Sequence, residues 1–522
     1  MTFKKAIYLM LWIAFGALAP NALKGQRPMN VVVFLVDDLG WQDTSFPFAD
    51  SATALNRRFR TPNMERLAGM GAAFTNAYAT PVCTPSRVSF LTGANVVRHQ
   101  VTNWTNVRPD THTDHPDSLL GQVDWNLNGL DPSGRQHRAF HATPLPQLLK
   151  DAGYYTILAG KAHFGPYTTP GSDPLNLGFM VNIAGTAAGH PGSYLPEKRY
   201  RANAQDTLRG VRGLDAYHSK GDFLTEALTR EALSALAVPV ASRKPFFLYL
   251  SHYAVHTPLE RDSRFVQPYL DQGLPPAEAN YAALIEGMDK SLGDVLDYLE
   301  SKGLLQETAV LFLSDNGGLS LAPPRAQPMH THNLPLRMGK GSVYEGGIRV
   351  PLLAYAPGLS QPGGKCQRLV AAEDLFPTVL ELAGIRRPKT IQEVDGRSFA
   401  PHIHQPAHPS PNRRLLVWHY PHNWTNIDQQ GVAWGSAIRQ GDWKLVYFHK
   451  TQQCELYQLT QDPGEQNNLL ETYPRKARRL AKQLRNILVR NHAPWPVHKA
   501  TKVAVPWPDE AVKASTARLP AS

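Results

Sequence analysis

Val31-Val32-Val33-Phe34-Leu35-Val36-Asp37-Asp38 is an unbroken apolar run that ends in two carboxylates. A β-branched and aromatic run of this length, with no polar residue at alternate positions, suits a strand buried on both faces, as in a parallel sheet. Three further runs are built the same way. Tyr155 to Leu158 leads to Lys161 and His163, Phe246 to Leu250 leads to His252 and His256, and Val310 to Leu313 leads to Asp315 and Asn316. Ligands of open α/β sheets bind beyond the carboxyl ends of the strands, so runs that end in metal- or anion-binding side chains predict one shared site. Helical stretches alternate with the runs. Thr61-Pro62 opens Asn63 to Met70, Thr143-Pro144 opens Leu145 to Asp151, and Tyr281 to Leu299 carries Leu284, Ile285, Met288, Leu292, Leu296 and Leu299 on one face. Each Thr-Pro pair supplies an N-cap and a proline at the first helical position. The alternation predicts an α/β fold with a mostly parallel central sheet and crossover helices.

Near residue 400 the pattern changes. Pro401, Pro406, Pro409 and Pro411 crowd among His402, His404 and His408, which marks a loop or linker. Beyond it Arg414 to Trp418, Ala433 to Ile438, Trp443 to Phe448 and Glu455 to Leu459 are strand-like, and Arg475 to Arg490 is helical. The expected division is a leader over 1–25, a catalytic domain over 26–400, a smaller α+β domain with an antiparallel sheet over 412–490, and an extended tail over 491–522. The leader rests on Lys4 and Lys5, the apolar run Ala6 to Ala19, and Pro20, Asn21 and Gly25, the layout of a signal peptide. Export to a periplasm or the extracellular space is therefore expected. No later run of about twenty apolar residues occurs, so no transmembrane span is expected.

The chain has 522 residues, 42% hydrophobic and 19% charged, which is ample for a large core and unlike a chain disordered by charge. A net charge of +11 invites a polyanion partner. Much of that charge lies in Arg475, Lys476, Arg478, Arg479, Lys482, Arg485 and Arg490, interleaved at helical spacing with Ala477, Leu480, Ala481, Leu484 and Leu488. That pattern describes a docked helix with a solvated basic face, and no nucleic-acid partner is expected. Three cysteines, an odd number, exclude a disulfide framework. Asp37, Asp38, Asp315 and Asn316 offer hard oxygen ligands and no soft ones, which suits calcium or magnesium rather than zinc or copper.

Cys83-Thr84-Pro85-Ser86-Arg87 is the central chemical signal. A cysteine at a helix start has its thiolate favoured by the helix N-terminus, whereas a buried inert thiol is the ordinary alternative. Cys83, Pro85 and Arg87 complete a Cys-x-Pro-x-Arg pattern, the one recognised for conversion of cysteine to formylglycine. Around it stand Val36-Asp37-Asp38-Leu39-Gly40, Gly160-Lys161-Ala162-His163-Phe164-Gly165, Val255-His256-Thr257-Pro258, Ser314-Asp315-Asn316-Gly317 and Gly339-Lys340-Gly341, followed by Glu345-Gly346-Gly347-Ile348-Arg349-Val350-Pro351. Gly441-Asp442-Trp443-Lys444-Leu445 and Asp462-Pro463-Gly464-Glu465 follow in the smaller domain. In this order the motifs resemble those of formylglycine-dependent sulfatases, from about Pro28 to Asn468, with Ala162 standing where the family usually has an aromatic residue.

The resemblance implies an alkaline-phosphatase-like α/β sandwich and hydrolysis of a sulfate ester, with a sulfated carbohydrate as the expected substrate. It implies a calcium ion held by Asp37, Asp38, Asp315 and Asn316, with the formylglycine at Cys83 completing the shell, and a formylglycine-generating or sulfatase-maturing enzyme as partner. Arg87 would orient the hydrated aldehyde, and Lys161, Lys340 and His256 would bind the sulfate oxygens. His256 would protonate the leaving oxygen and His163 would take the proton that releases sulfate. Asn103, Arg108, Asp110, His252 and His332 are the candidates for contacts to the sugar. A phosphate or phosphonate monoester hydrolase of the same fold, and a non-catalytic sulfated-glycan binding protein with Cys83 unmatured, are the alternative readings.

Overall fold

The computed structural model describes residues 28–319, 333–406, 414–424 and 431–516; the expected leader, His332 and the last six residues lie outside them. Eight strands form the large sheet: β1 (Asn30–Val36), β2 (Ala72–Phe74), β3 (Tyr155–Gly160), β4 (Val181–Ile183), β5 (Phe246–Ser251), β6 (Thr308–Ser314), β7 (Leu352–Tyr355) and β8 (Gly364–Cys366). Their order is β8-β2-β7-β6-β1-β5-β3-β4, and β7 alone among them runs against its neighbours.

Strand β1 shows why its sequence is apolar throughout. Val32, Phe34 and Val36 enter one core layer, and Val31, Val33 and Leu35 enter the other. Both faces are covered. Helices α2 (Leu224–Ala235) and α3 (Pro276–Ser301) pack on the first, while α1 (Cys83–Thr92) and α4 (Leu375–Leu382) pack on the second. Register then aligns the strand ends, because Val36 pairs with Ser314 while Leu35 and Gly160 both pair with Ser251. The polar residues that follow emerge at one edge. The helix Pro62–Met70 forms where the Thr61-Pro62 pair placed it, but Thr61 does not cap it, since its hydroxyl meets those of Thr44 and Ser45 at 2.8 and 2.9 Å.

The second sheet, β9 (Leu415–Tyr420), β10 (Gly435–Gln440), β11 (Trp443–Phe448) and β12 (Gln453–Gln458), is antiparallel throughout. The basic helix α5 (Pro474–Arg490) buries Ala477, Leu480, Ala481, Leu484 and Leu488 in the same core as this sheet. The expected extended tail is a correction. Residues 491–516 fold back, form α6 (Pro508–Thr516), stack Trp495 on Trp507 at 4.1 Å and bury Val505 and Val512. Apolar burial supplied by these aromatic and aliphatic side chains outweighs the turn tendency of the prolines. Among the described residues no helix is long and apolar enough to cross a membrane.

A buried ionic junction ties the second sheet to the short helix Glu345–Ile348 and to Tyr78. Lys444 of β11 lies 2.9 Å from Glu345 Oε1 and 2.8 Å from Glu465 Oε1, while Glu465 Oε2 accepts the Glu345 backbone N–H at 2.7 Å. The Tyr78 hydroxyl donates to Glu345 Oε2 at 2.7 Å. Removing Lys444 leaves two buried carboxylates without their shared cation. Lys444→Ala is expected to cost about 3–5 kcal/mol in chemical denaturation. Burial and Glu345 already push Glu465 up to about 7. Losing the cation raises Glu465 further above its unfolded value and takes from Glu345, held at about 2 against burial by Lys444, Arg439 and Arg349, the largest of its lowering charges, so the variant's stability should fall as pH rises from 5.5 to 8.

Candidate active site

Asp37 and Asp38 follow β1 directly, and Asp38 takes the left-handed backbone conformation (φ 64°), a turn that keeps both carboxylates at the strand end. Asp315 follows β6. Ligand oxygens of Asp37, Asp38 and Asp315 lie within 4.8 Å of one another, and all three side chains are buried. Two acceptors beside them, Asp37 Oδ1 and Asn316 Oδ1, are buried without a hydrogen-bond partner. Buried acceptors left unpaired in an oxygen-only set fit a hard divalent cation.

Three buried cations face the carboxylates. Lys161 Nζ lies 2.7 Å from Asp37 Oδ2, and Lys340 Nζ lies 2.6 Å from Asp38 Oδ1. Arg87 Nε donates to Asp315 Oδ2 at 2.8 Å, and Arg87 Nη1 donates to Ser251 Oγ at 2.8 Å and to the Lys161 carbonyl at 3.0 Å. Burial alone would raise Asp38, but Lys340, His256 and Lys161 outweigh it and hold the carboxyl below its usual range. Burial, together with Asp315, pushes Asp37 the other way. Lys161 is delivered by Gly160 (φ 99°), where a Cβ would stand 2.0 Å from the Ser251 carbonyl oxygen.

Cys83 is the first residue of α1, and its Sγ lies 3.4 Å from His163 Nδ1. His163 Nε2 is 2.9 Å from the Thr105 carbonyl, which can only accept, so Nε2 carries the proton and Nδ1 turns a lone pair toward position 83. Burial and the nearby Lys161 keep this imidazole neutral by lowering its pKa. His256 is fixed likewise. Its Nδ1 donates to the Thr257 carbonyl at 2.9 Å, and Nε2 faces Asp38 Oδ2 at 3.7 Å.

The remaining candidates divide. Asn103 is buried beside the site, its Oδ1 accepting from the Tyr420 hydroxyl of β9 at 3.1 Å and its Nδ2 unpartnered. Arg108 is exposed. Asp110 is engaged within its own loop region by Asn128 at 3.0 Å and His137 at 2.8 Å. His252 is a correction: alternation past the end of β5 turns it against Phe34 and onto Ser291 Oγ of α3 at 2.8 Å, in the core. His332 lies outside the described residues. Sequence reasoning missed Ser251, which anchors Arg87, and His190, whose ring stacks parallel to His256 at 5.5 Å. The only hint for His190 was its Gly189-His190-Pro191-Gly192 turn composition. Volume does not find the site either. Clefts of about 1370 Å³ around Phe376 and about 670 Å³ around Arg414 contain none of its carboxylates or cations.

Known proteins resemble this chain over most of its length. A family model described as Sulfatase matches residues 29–385, and one described as N-sulphoglucosamine sulphohydrolase, C-terminal, matches residues 338–493. A protein named Sulfatase from Formosa agariphila is 28% identical, over 94% of each chain. N-acetylgalactosamine-6-sulfatase from Mus musculus is 30% identical over 75% of this chain and 69% of its own length. The crystal structure of Ps i-CgsB shares the fold with a TM-score of 0.71 at 24% identity, covering 89% of this chain and 94% of that one.

Arg87 satisfies Asp315, Ser251 and a carbonyl at once through a planar fork, which a lysine cannot reproduce. Arg87→Lys keeps the charge but loses the fork, and is expected to lower stability by about 1.5–3 kcal/mol in a denaturant titration, the cost of lost charge-assisted hydrogen bonds. Ser251→Ala should cost about 1–3 kcal/mol while leaving the ion pair in place.

Proposed function

The chain belongs to the sulfatase family of sulfuric ester hydrolases, and on that premise we propose that it removes O-sulfate from a sulfated carbohydrate, with position 83 carried as formylglycine. The carrying observation is the Cys83 thiol 3.4 Å from the unprotonated Nδ1 of His163, which the Thr84 hydroxyl also approaches at 3.3 Å, beside three carboxylates and three cations. Asp37, Asp38, Asp315 and Asn316 would hold calcium, or magnesium, whose chemistry is to lower the pKa of the attacking oxygen and to attract the anionic ester. The six protein charges cancel, so a divalent cation leaves the pocket net positive, which favours a sulfate monoester. The hydrated formylglycine would supply the nucleophilic hydroxyl and a second hydroxyl through which sulfate leaves.

The chain's own groups carry the remaining work. Lys161 and Lys340 bind sulfate oxygens, and Arg87 fixes the floor on which position 83 and Asp315 sit. His163 accepts a proton at Nδ1. His256 has spent its Nδ1–H on Thr257, so it protonates the leaving oxygen only as the imidazolium. Burial and Lys340 oppose that form, while Asp38 and the charge of a bound sulfate favour it. The relative named N-acetylgalactosamine-6-sulfatase supports a sugar substrate, and unpartnered Asn103 Nδ2 offers a donor to it. Residues 26–400 serve as the catalytic domain and 412–490 as the smaller one. The leader-like start supports export to a periplasm or the extracellular space, with a formylglycine-generating or sulfatase-maturing enzyme as partner.

The deciding experiment follows turnover of 4-nitrophenyl sulfate and 4-nitrophenyl phosphate in parallel, with the mass of the Cys83 tryptic peptide. Sulfate turnover with an aldehyde-bearing peptide is expected. Preferential phosphate turnover, or an unmodified thiol in active protein, overturns the reading. A chelator should abolish turnover and lower the melting temperature, calcium should restore both, and Asp37→Ala should remove the calcium response. His256→Ala should slow sugar sulfates about 10–100-fold more than aryl sulfates, whose phenolate departs with less help. Equal losses would remove His256 from the leaving-group side. His163→Ala should instead accumulate a covalent sulfate adduct at position 83, visible in intact mass.

A further inference from the structure

His190 stands on the loop that follows β4, half-buried, and no proposed step uses it. Two successive residues of this loop rest on the two site histidines. At Gly189 a Cβ would stand 2.5 Å from His163 Cε1, and the His190 ring lies parallel to His256 at 5.5 Å and 4°. The loop backbone is anchored there as well, since the Thr186 carbonyl accepts the His163 N–H at 3.0 Å. His190 therefore belongs to the wall on the side of His256, where the alcohol departs.

Its hydrogen-bonding character follows from one contact. Nδ1 lies 3.0 Å from the Pro191 carbonyl, an acceptor only, so Nδ1 carries the ring proton and Nε2 presents a lone pair. Among the described residues Nε2 has no hydrogen-bond partner. Burial, then Arg209, Lys161 and Lys340, lower the pKa of the ring to about 4, so it stays neutral in neutral solution. A neutral acceptor has nothing to offer the oxygens of a sulfate, which are acceptors themselves. It needs a donor on the alcohol portion of the substrate.

We propose that His190 determines specificity by accepting, at Nε2, a hydrogen bond from a free sugar hydroxyl next to the sulfated position. This rests on the sugar-sulfate reading above. A sugar in which that hydroxyl is absent, methylated or itself sulfated leaves Nε2 unpaired and is a poor substrate, whereas an aryl sulfate never engages it.

The test uses the matured, calcium-loaded enzyme with galactose and N-acetylgalactosamine monosulfated at each hydroxyl, and with 4-methylumbelliferyl sulfate. His190→Phe keeps a ring against His256 and removes the acceptor, while His190→Gln restores an acceptor without the ring. The ratio of kcat/KM for the best sugar sulfate to that for the aryl sulfate should fall about tenfold or more in His190→Phe and recover to within about threefold in His190→Gln. Deoxygenating the hydroxyl beside the sulfate should cost wild type a similar factor and cost His190→Phe little more. An unchanged ratio in His190→Phe overturns the proposal, as does rescue by Phe but not Gln, which makes the ring a packing support for His256. If His190→Phe fails to fold, the deoxy sugars decide on wild type alone: hydrolysis of every deoxy analogue at the parent rate overturns the proposal. Wild type that cleaves the aryl sulfate and none of the sugars overturns the sugar-sulfate reading itself, a result separable from the others.

Discussion

Three carboxylates cannot stand together in a protein interior without compensation. The effective cost of burying each ion is several kcal/mol even after relaxation, and mutual repulsion adds to it. Asp37, Asp38 and Asp315 meet this constraint with Arg87, Lys161 and Lys340, each within 2.8 Å of its partner. These six residues come from far apart in the chain, so the pairing holds only if the central strands keep their register. A slip of β1 by one residue would exchange its core faces and carry Asp37 and Asp38 away from Lys161 and Lys340. Charge neutrality at the edge and apolar packing in the layers thus enforce the same alignment.

What was legible in the sequence follows from the same geometry. A strand buried on both faces must be apolar throughout, so β1, β5 and β6 announced themselves, and the carboxylates of Asp37 and Asp315, next after β1 and β6, were legible with them. Direction was harder. His252 follows β5 as closely as Asp37 follows β1, yet alternation turns it onto α3. Adjacency to a strand end gives the level of a residue but not the face it takes. Ser251 carries no pattern at all and His190 only a turn composition, because their partners are a distant guanidinium and a ring from another loop. In the tail, the prolines that suggested an extended chain flank two tryptophans whose stacking closes the fold.

The motifs shared across the two sheets divide by task. Those following β1, β3 and β6 hold the three carboxylates and Lys161, whereas Glu345, Lys444 and Glu465 form a second buried ionic junction. Its position matters for the site nonetheless. Glu345 lies a few residues after Lys340, and Tyr420 of the second sheet holds Asn103 from the other direction. The smaller sheet is therefore tied to the segments around the carboxylate cluster rather than standing as an appendage.

Helix α1 also imposes an order of events. Every residue from Cys83 to Thr92 is buried, and Cys83 itself is 3% exposed. A catalyst the size of a protein must grip several residues of backbone on either side of the thiol it alters, and the finished helix, packed beneath the sheet, offers none of them. Any enzymatic change at this thiol thus belongs to the nascent or unfolded chain. For any such change folding would act as a deadline: a molecule that closes its core early would seal in an ordinary cysteine, and the outcome would be decided by a race between two rates before the native state exists.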